Sequence, residues 1–195
     1  MEFLNSVKGS VAQTMIHCLL RQSGYLVVPT SIEALIPSLT LRDWASYDAL
    51  SLGPELRLMP DLLLLPPEGS ARLLEVKYRT RMDRETIRRI LEKCRTQQEQ
   101  FPDAYTILIR GSSARGAAAR ADDLVRVLPP NALELLAAAD LYFNAITPAP
   151  GGSDEARLEP LWQSLRPMTS VFDRLQGQRE TLEQLVPLIR ALAAL

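Results

Sequence analysis

Apolar residues recur at helical spacing near the start of the chain, at Val11, Met15, Ile16, Leu19 and Leu20, and Gly24 stands where a helix in that phase would end. That period predicts a helix with one buried face, closed by a glycine at its C-terminal cap. Leu26, Val27 and Val28 then read as a strand. Residues 58–65 form a short apolar run, interrupted by Pro66-Pro67-Glu68-Gly69-Ser70 and resumed over 71–79. Two such runs around a Pro/Gly cluster predict a β-hairpin. Residues 83–100 carry a second helical stripe, Ile87, Ile90, Leu91 and Cys94, which Phe101-Pro102 ends. A buried strand over 104–109 and a short last strand over 125–128 follow. Helix, strand, hairpin, helix and strand in that order predict an α/β fold.

The hairpin places the polar residues. Strand side chains alternate, so Leu74, Val76 and Tyr78 share one face while Glu75, Lys77 and Arg79 share the other. If Leu65 pairs with Ala71 across the turn, Asp61 falls opposite Glu75, with Cβ atoms about 4.5–5.5 Å apart. Facing carboxylates destabilise a strand pair unless a cation lies between them, and a hard divalent ion such as Mg²⁺ suits two carboxylates. Lys77 adds a positive group on the same face. The same string also fits an ordinary hairpin with a surface Glu and Lys.

Pro60-Asp61 followed by Glu75-Val76-Lys77 resembles the signature of the PD-(D/E)XK superfamily, the restriction-endonuclease-like nucleases. The N-terminal stretch is similar to archaeal-type Holliday junction resolvases: Lys8-Gly9, a three-residue spacer, an apolar helix, then Gly24-Tyr25 and a β-run. Gln13 stands where that family has an acidic helix residue that helps hold metal. The resemblance implies an αβββαβ core, a mixed central sheet flanked by helices. It implies Mg²⁺, or Mn²⁺ in its place, on Asp61, Glu75 and the backbone carbonyl of Val76, with Gln13 able to lend only an uncharged amide oxygen. Lys77 would position the attacking water or stabilise charge on the phosphorane, and the reaction would be endonucleolytic hydrolysis of DNA. Glu33, Asp43, Asp48 and Glu55 are further acids that could replace the missing helix carboxylate. A subunit of a DNA-processing, defence or mobile-element complex fits, and so does a catalytically weak, DNA-binding scaffold that keeps the fold.

Charge separates two parts of the chain. Residues 1–128 hold 17 basic and 15 acidic side chains, and residues 129–195 hold 5 and 8. Lys8, Arg79, Arg81, Arg84 and Arg88 are the candidate DNA contacts, since such a cluster neutralises phosphates without reading bases. A solvated helix face with intrahelical acidic partners is the other reading of Arg88 and Arg89. No P-loop is present, so no nucleotide cofactor is expected. The single histidine, His17, has no motif around it, and two cysteines, Cys18 and Cys94, are too few for a four-cysteine iron–sulfur cluster. Both cysteines fall on helix stripes and read as buried hydrophobes in a reducing cytoplasm. No run reaches the length of a membrane span.

The expected organisation is a nuclease-like domain over 1–128, a bridging helix over 129–146 capped by Asn131, a linker over 147–153, and a helical appendage over 154–195. The appendage carries a stripe from Phe172 to Leu192, interrupted at Gln178 and bent at Pro187. That stripe packs either on the parent domain or on a second copy or partner protein. On the second reading, a chain ending at Pro148 would keep a folded core and lose only its self-association.

Overall fold

A computed structural model describes residues 2–36, 52–112, 116–145 and 155–195. Helix α1 spans Glu2–Gln22, six residues earlier than Lys8-Gly9. It closes as the glycine suggests: Gly24 takes φ +85, its N–H donates to the Arg21 carbonyl, and the Tyr25 N–H donates to Leu20. This paired C-terminal motif satisfies carbonyls that the helix itself leaves unpaired. Its buried face is Ala12, Ile16, Leu19 and Leu20, whereas Val11 is exposed. Val11 lies about 100° around the helix from Ala12 and so falls off that face. Cys18 is exposed for the same reason, contrary to expectation, while Cys94 is buried.

The sheet has five strands in sequential order: β1 (Leu26–Pro29), β2 (Leu62–Leu65), β3 (Arg72–Arg79), β4 (Tyr105–Arg110) and β5 (Val125–Leu128). Neighbours are antiparallel except β3 and β4, which are parallel. A parallel pair needs a crossover, and helix α2 (Arg84–Gln100) supplies it, with the Asp83 carboxylate capping its start by accepting from the Thr86 N–H at 2.7 Å. The β2–β3 register, Leu62 with Leu74 and Leu64 with Arg72, is the one the turn length predicts and sets Asp61 against Glu75.

Two cores sandwich this sheet. On one face α1 and the C-terminal helices cover Leu62, Leu64, Leu74, Tyr78, Ile107 and Ile109. On the other, α2, α3 (Leu133–Ala145) and α4 (Glu155–Ser164) pack with Leu108 and Leu128. β4 is buried on both faces, as a central strand must be. Asn131 does not cap α3; it lies two residues before it at φ +54.

The expected linker, and Asp43 and Asp48, lie outside the described residues, and of Glu33 only the backbone is described. Glu55 is exposed in the short helix Pro54–Arg57. Beyond residue 154 the stripe is used within the chain itself. Phe172, Leu175, Leu182, Leu185, Val186, Ile189 and Leu192 all belong to the first core. Phe172 is fully buried, 6.3 Å from the rings of both Tyr25 and Tyr105. The stretch is broken into Met168–Val171, Asp173–Leu175, Arg179–Glu183 and α5 (Leu185–Ala194). The proline accounts for the last break: at the third position of α5 its missing N–H costs nothing, but its ring forbids helix continuing through the carbonyl of Glu183. Pro187 therefore sets where α5 starts rather than bending it.

The same segment protects the sheet edge. Arg166 and Val127 exchange both backbone hydrogen bonds, at 2.8 and 3.0 Å. Arg110 is buried against Glu159 at 2.9 Å and over the Trp162 ring, and Arg126 donates to Gln163 and to the Leu165 carbonyl. These two arginines tie α4 to β4 and β5.

Candidate functional site

Pro60 and Asp61 immediately precede β2, and Thr30, just after β1, holds them there. The Thr30 hydroxyl donates to the Pro60 carbonyl at 2.7 Å, and the Thr30 N–H donates to the Asp61 carbonyl at 2.9 Å. The Asp61 side chain then does what a backbone carbonyl would otherwise do: its Oδ2 accepts from the Val76 N–H at 2.8 Å. This bond fixes which way Val76 faces. In an extended strand the N–H and C=O of one residue point the same way, so the Val76 carbonyl also turns towards β2. Continuing the register, Val76 faces Pro60, and proline has no N–H to give it. One strand end thus brings together a carboxylate and a backbone carbonyl that the sheet ladder does not use.

Glu75 and Lys77 lie on the opposite face from Leu74 and Tyr78, beneath α2. They are an ion pair, Nζ to Oε1 at 2.6 Å, with side chains 14% and 13% exposed. Gln97 of α2 donates to Glu75 Oε2 at 2.9 Å and to the Leu58 carbonyl at 3.1 Å. Both partners are acceptors, which fixes the orientation of the amide. Glu75 therefore has each oxygen held by a different donor. The largest single effect on Lys77 is burial, which lowers its pKa; the charge of Glu75, Cys94, the Glu75 hydrogen bond and the Asp61 charge together outweigh it, so the net shift is upward. The Cys94 share requires a thiolate, and burial pushes that thiol up. The carboxylates are thus what hold Lys77 as an ammonium. Its contribution to stability is complete at neutral pH and is lost only as pH climbs through the raised value.

Asp61, Glu75, Val76 and Lys77 are brought together. The residues expected from α1 are not. α1 covers the sheet face of Leu74 and Tyr78, so Lys8 is buried there with Nζ 3.4 Å from Thr80 Oγ1, across the sheet from Glu75 and Lys77. Gln13, half-buried on the same helix, makes no hydrogen bond to Glu75 or Lys77. Arg79 is half-buried and donates to the Tyr78 carbonyl, Arg84 is half-buried, and Arg81 and Arg88 are exposed. Gln97 escaped the sequence reading. Its only signal is a polar residue three places beyond Cys94 on the buried stripe, where an amide needs partners. Among the described residues no group of three His, Cys, Asp or Glu side chains comes together.

No protein-family model, curated protein or solved structure gives a significant match to this chain.

Proposed function

We propose that this chain is a metal-dependent deoxyribonuclease of the PD-(D/E)XK superfamily, with the restriction-endonuclease-like core of that group. The observation that carries the reading is the register that sets Asp61 against Glu75, with Lys77 paired to Glu75 on the same face. The sequential mixed sheet with its one parallel pair, and α2 crossing between β3 and β4, support it. Asp61, Glu75 and the Val76 carbonyl are an all-oxygen set, which suits Mg²⁺ or Mn²⁺. They fit the ion because the Asp61 carboxylate and the Val76 backbone meet at one strand end, where Val76 faces a proline. A bound ion of this kind supplies Lewis acidity and a water of lowered pKa. Lys77 holds positive charge where a phosphate would meet the carboxylates, and charge on the pentavalent phosphorus is stabilised there. Purified protein incubated with branched, duplex and single-stranded DNA, in Mg²⁺, Mn²⁺ or EDTA, tests this. Cleavage in either metal and none in EDTA is expected, and no cleavage of any substrate overturns it.

Gln97 acts on the site through Glu75. Gln97→Ala should raise the Mg²⁺ concentration needed for half-maximal cleavage about 10–100-fold, the usual effect of removing a group that orients a ligand. An unchanged metal titration would make Gln97 only a tie from α2 to Glu75 and the Leu58 carbonyl. Gln13→Glu is expected to leave the titration near wild type, because α1 covers the other face. A tightening of Mg²⁺ binding would instead bring α1 into the site.

One observation favours the alternative of a catalytically weak, DNA-binding or scaffold subunit: both oxygens of Glu75 are already engaged by Lys77 and Gln97. DNA binding without cleavage in any metal would support it. Self-association through 154–195 would have to use faces other than the buried stripe, such as those of Leu188 and Leu195. Among the described residues no helix is long and apolar enough to cross a membrane.

A further inference from the structure

α2 runs antiparallel to β3, because it leads from β3 back to the start of parallel β4. Four helical residues rise about 6 Å and two strand residues span about 6.6 Å. Successive turns of α2 therefore keep step with alternate residues of β3. Gln97 meets Glu75 at 2.9 Å. One turn back Lys93 comes level with Lys77, and one turn further Arg89 comes level with Arg79. The electrostatic neighbours of Lys93 agree: Lys77, Arg79 and Arg89 repel its charge and Glu75 attracts it. Partial desolvation first, and these cations next, lower its pKa.

This cluster has more cations than anions. Glu75 is paired with Lys77, Glu85 with Arg89, and Asp61 acts on Lys77. Arg79 and Lys93 make no ion pair among the described residues. Lys93 is nevertheless exposed on the Gln97 side of the helix, towards β2, whereas Gln98 turns the other way to Pro129 and Ala132. Like charges gathered at an accessible edge are destabilising, and a multivalent anion lying along them would offset that.

We propose that Lys93, with Arg79 and Arg89, is a binding site for the backbone phosphates of a nucleic acid strand, carrying the strand away from Asp61, Glu75 and Lys77 along α2. The proposal rests on the nuclease reading and adds Lys93 to the basic residues expected to meet DNA. It is a sequence-independent contact, because nothing in the cluster is built to read a base edge.

The test measures anisotropy of labelled duplex and single-stranded DNA with the full chain in EDTA, across a salt series. Lys93→Gln should weaken binding and reduce the slope of log affinity against log salt by about one, and Lys93→Arg should restore both. The melting temperature of Lys93→Gln should equal or exceed that of wild type, since a like charge is removed and no ion pair is lost. Competition with inorganic pyrophosphate separates a strand from a small anion: if Lys93 governs pyrophosphate binding and not DNA binding, the proposal is overturned. If wild-type protein binds and cuts DNA but Lys93→Gln keeps the same salt slope, this inference alone fails. If wild-type protein neither binds nor cuts DNA, the nuclease reading fails and this one with it.

Discussion

Asp61→Asn and Lys77→Ala should each reduce DNA cleavage by about 10²-fold or more while leaving DNA affinity near wild type. Asparagine is nearly isosteric and its Oδ1 can still accept from the Val76 N–H, so the start of β2 should survive the change. What is lost is the negative charge. Lys77→Ala removes the cation and leaves Glu75 held by Gln97 alone. Lys77→Gln is the companion variant, since it can still donate to Glu75 without carrying charge and so separates folding from chemistry. Circular dichroism with single-turnover cleavage of the three proteins decides the matter. Near wild-type rates in Asp61→Asn or Lys77→Gln would reduce the motif to an ordinary hairpin.

Removing residues 149–195 should unfold the protein rather than release a folded core. The truncation takes away α4, α5 and Phe172, uncovers one face of Leu64, Leu74 and Ile109, and strips Arg166 from the edge of β5. This outcome reverses the expectation that a chain ending at Pro148 keeps its fold. A gentler version is Phe172→Ala. Deleting a fully buried phenylalanine costs about 3–5 kcal/mol, and in a chain of this size each kcal/mol lowers Tm by about 2–4 °C. Calorimetry checks both. A truncated protein that unfolds cooperatively near the wild-type Tm would make the C-terminal segment separable after all.

The hairpin was legible because its determinants are local. The length of the Pro66–Ser70 turn, the alternation on the second arm and the like charges of Asp61 and Glu75 all lie within twenty residues. A register slip of one would have set Asp61 opposite Leu74 or Val76 instead of Glu75. Gly24 was legible for the same reason. The stripe of α1 was placed slightly out of phase, with Val11 for Ala12, because alanine carries too little hydrophobic signal to mark a buried face. The exposure of Cys18 follows from that shift.

Partners distant in the chain are a different matter. Gln97 meets Glu75 across 22 residues, and only the antiparallel passage of α2 over β3 brings them into contact. Lys8 and Gln13 stand in a familiar string, yet α1 covers the sheet face away from Glu75 and Lys77. The C-terminal stripe left two readings open because an amphipathic helix announces that it will be buried, not by what. The sequence by itself determined the elements, the hairpin register and the chemistry gathered at its open end, all from periods and turns within a few residues. Tertiary structure decided which face each helix covers, and hence which donors reach Glu75 and where the stripe from Phe172 to Leu192 is buried. Hydrophobic burial has no direction of its own, so that choice belongs to the whole packed chain.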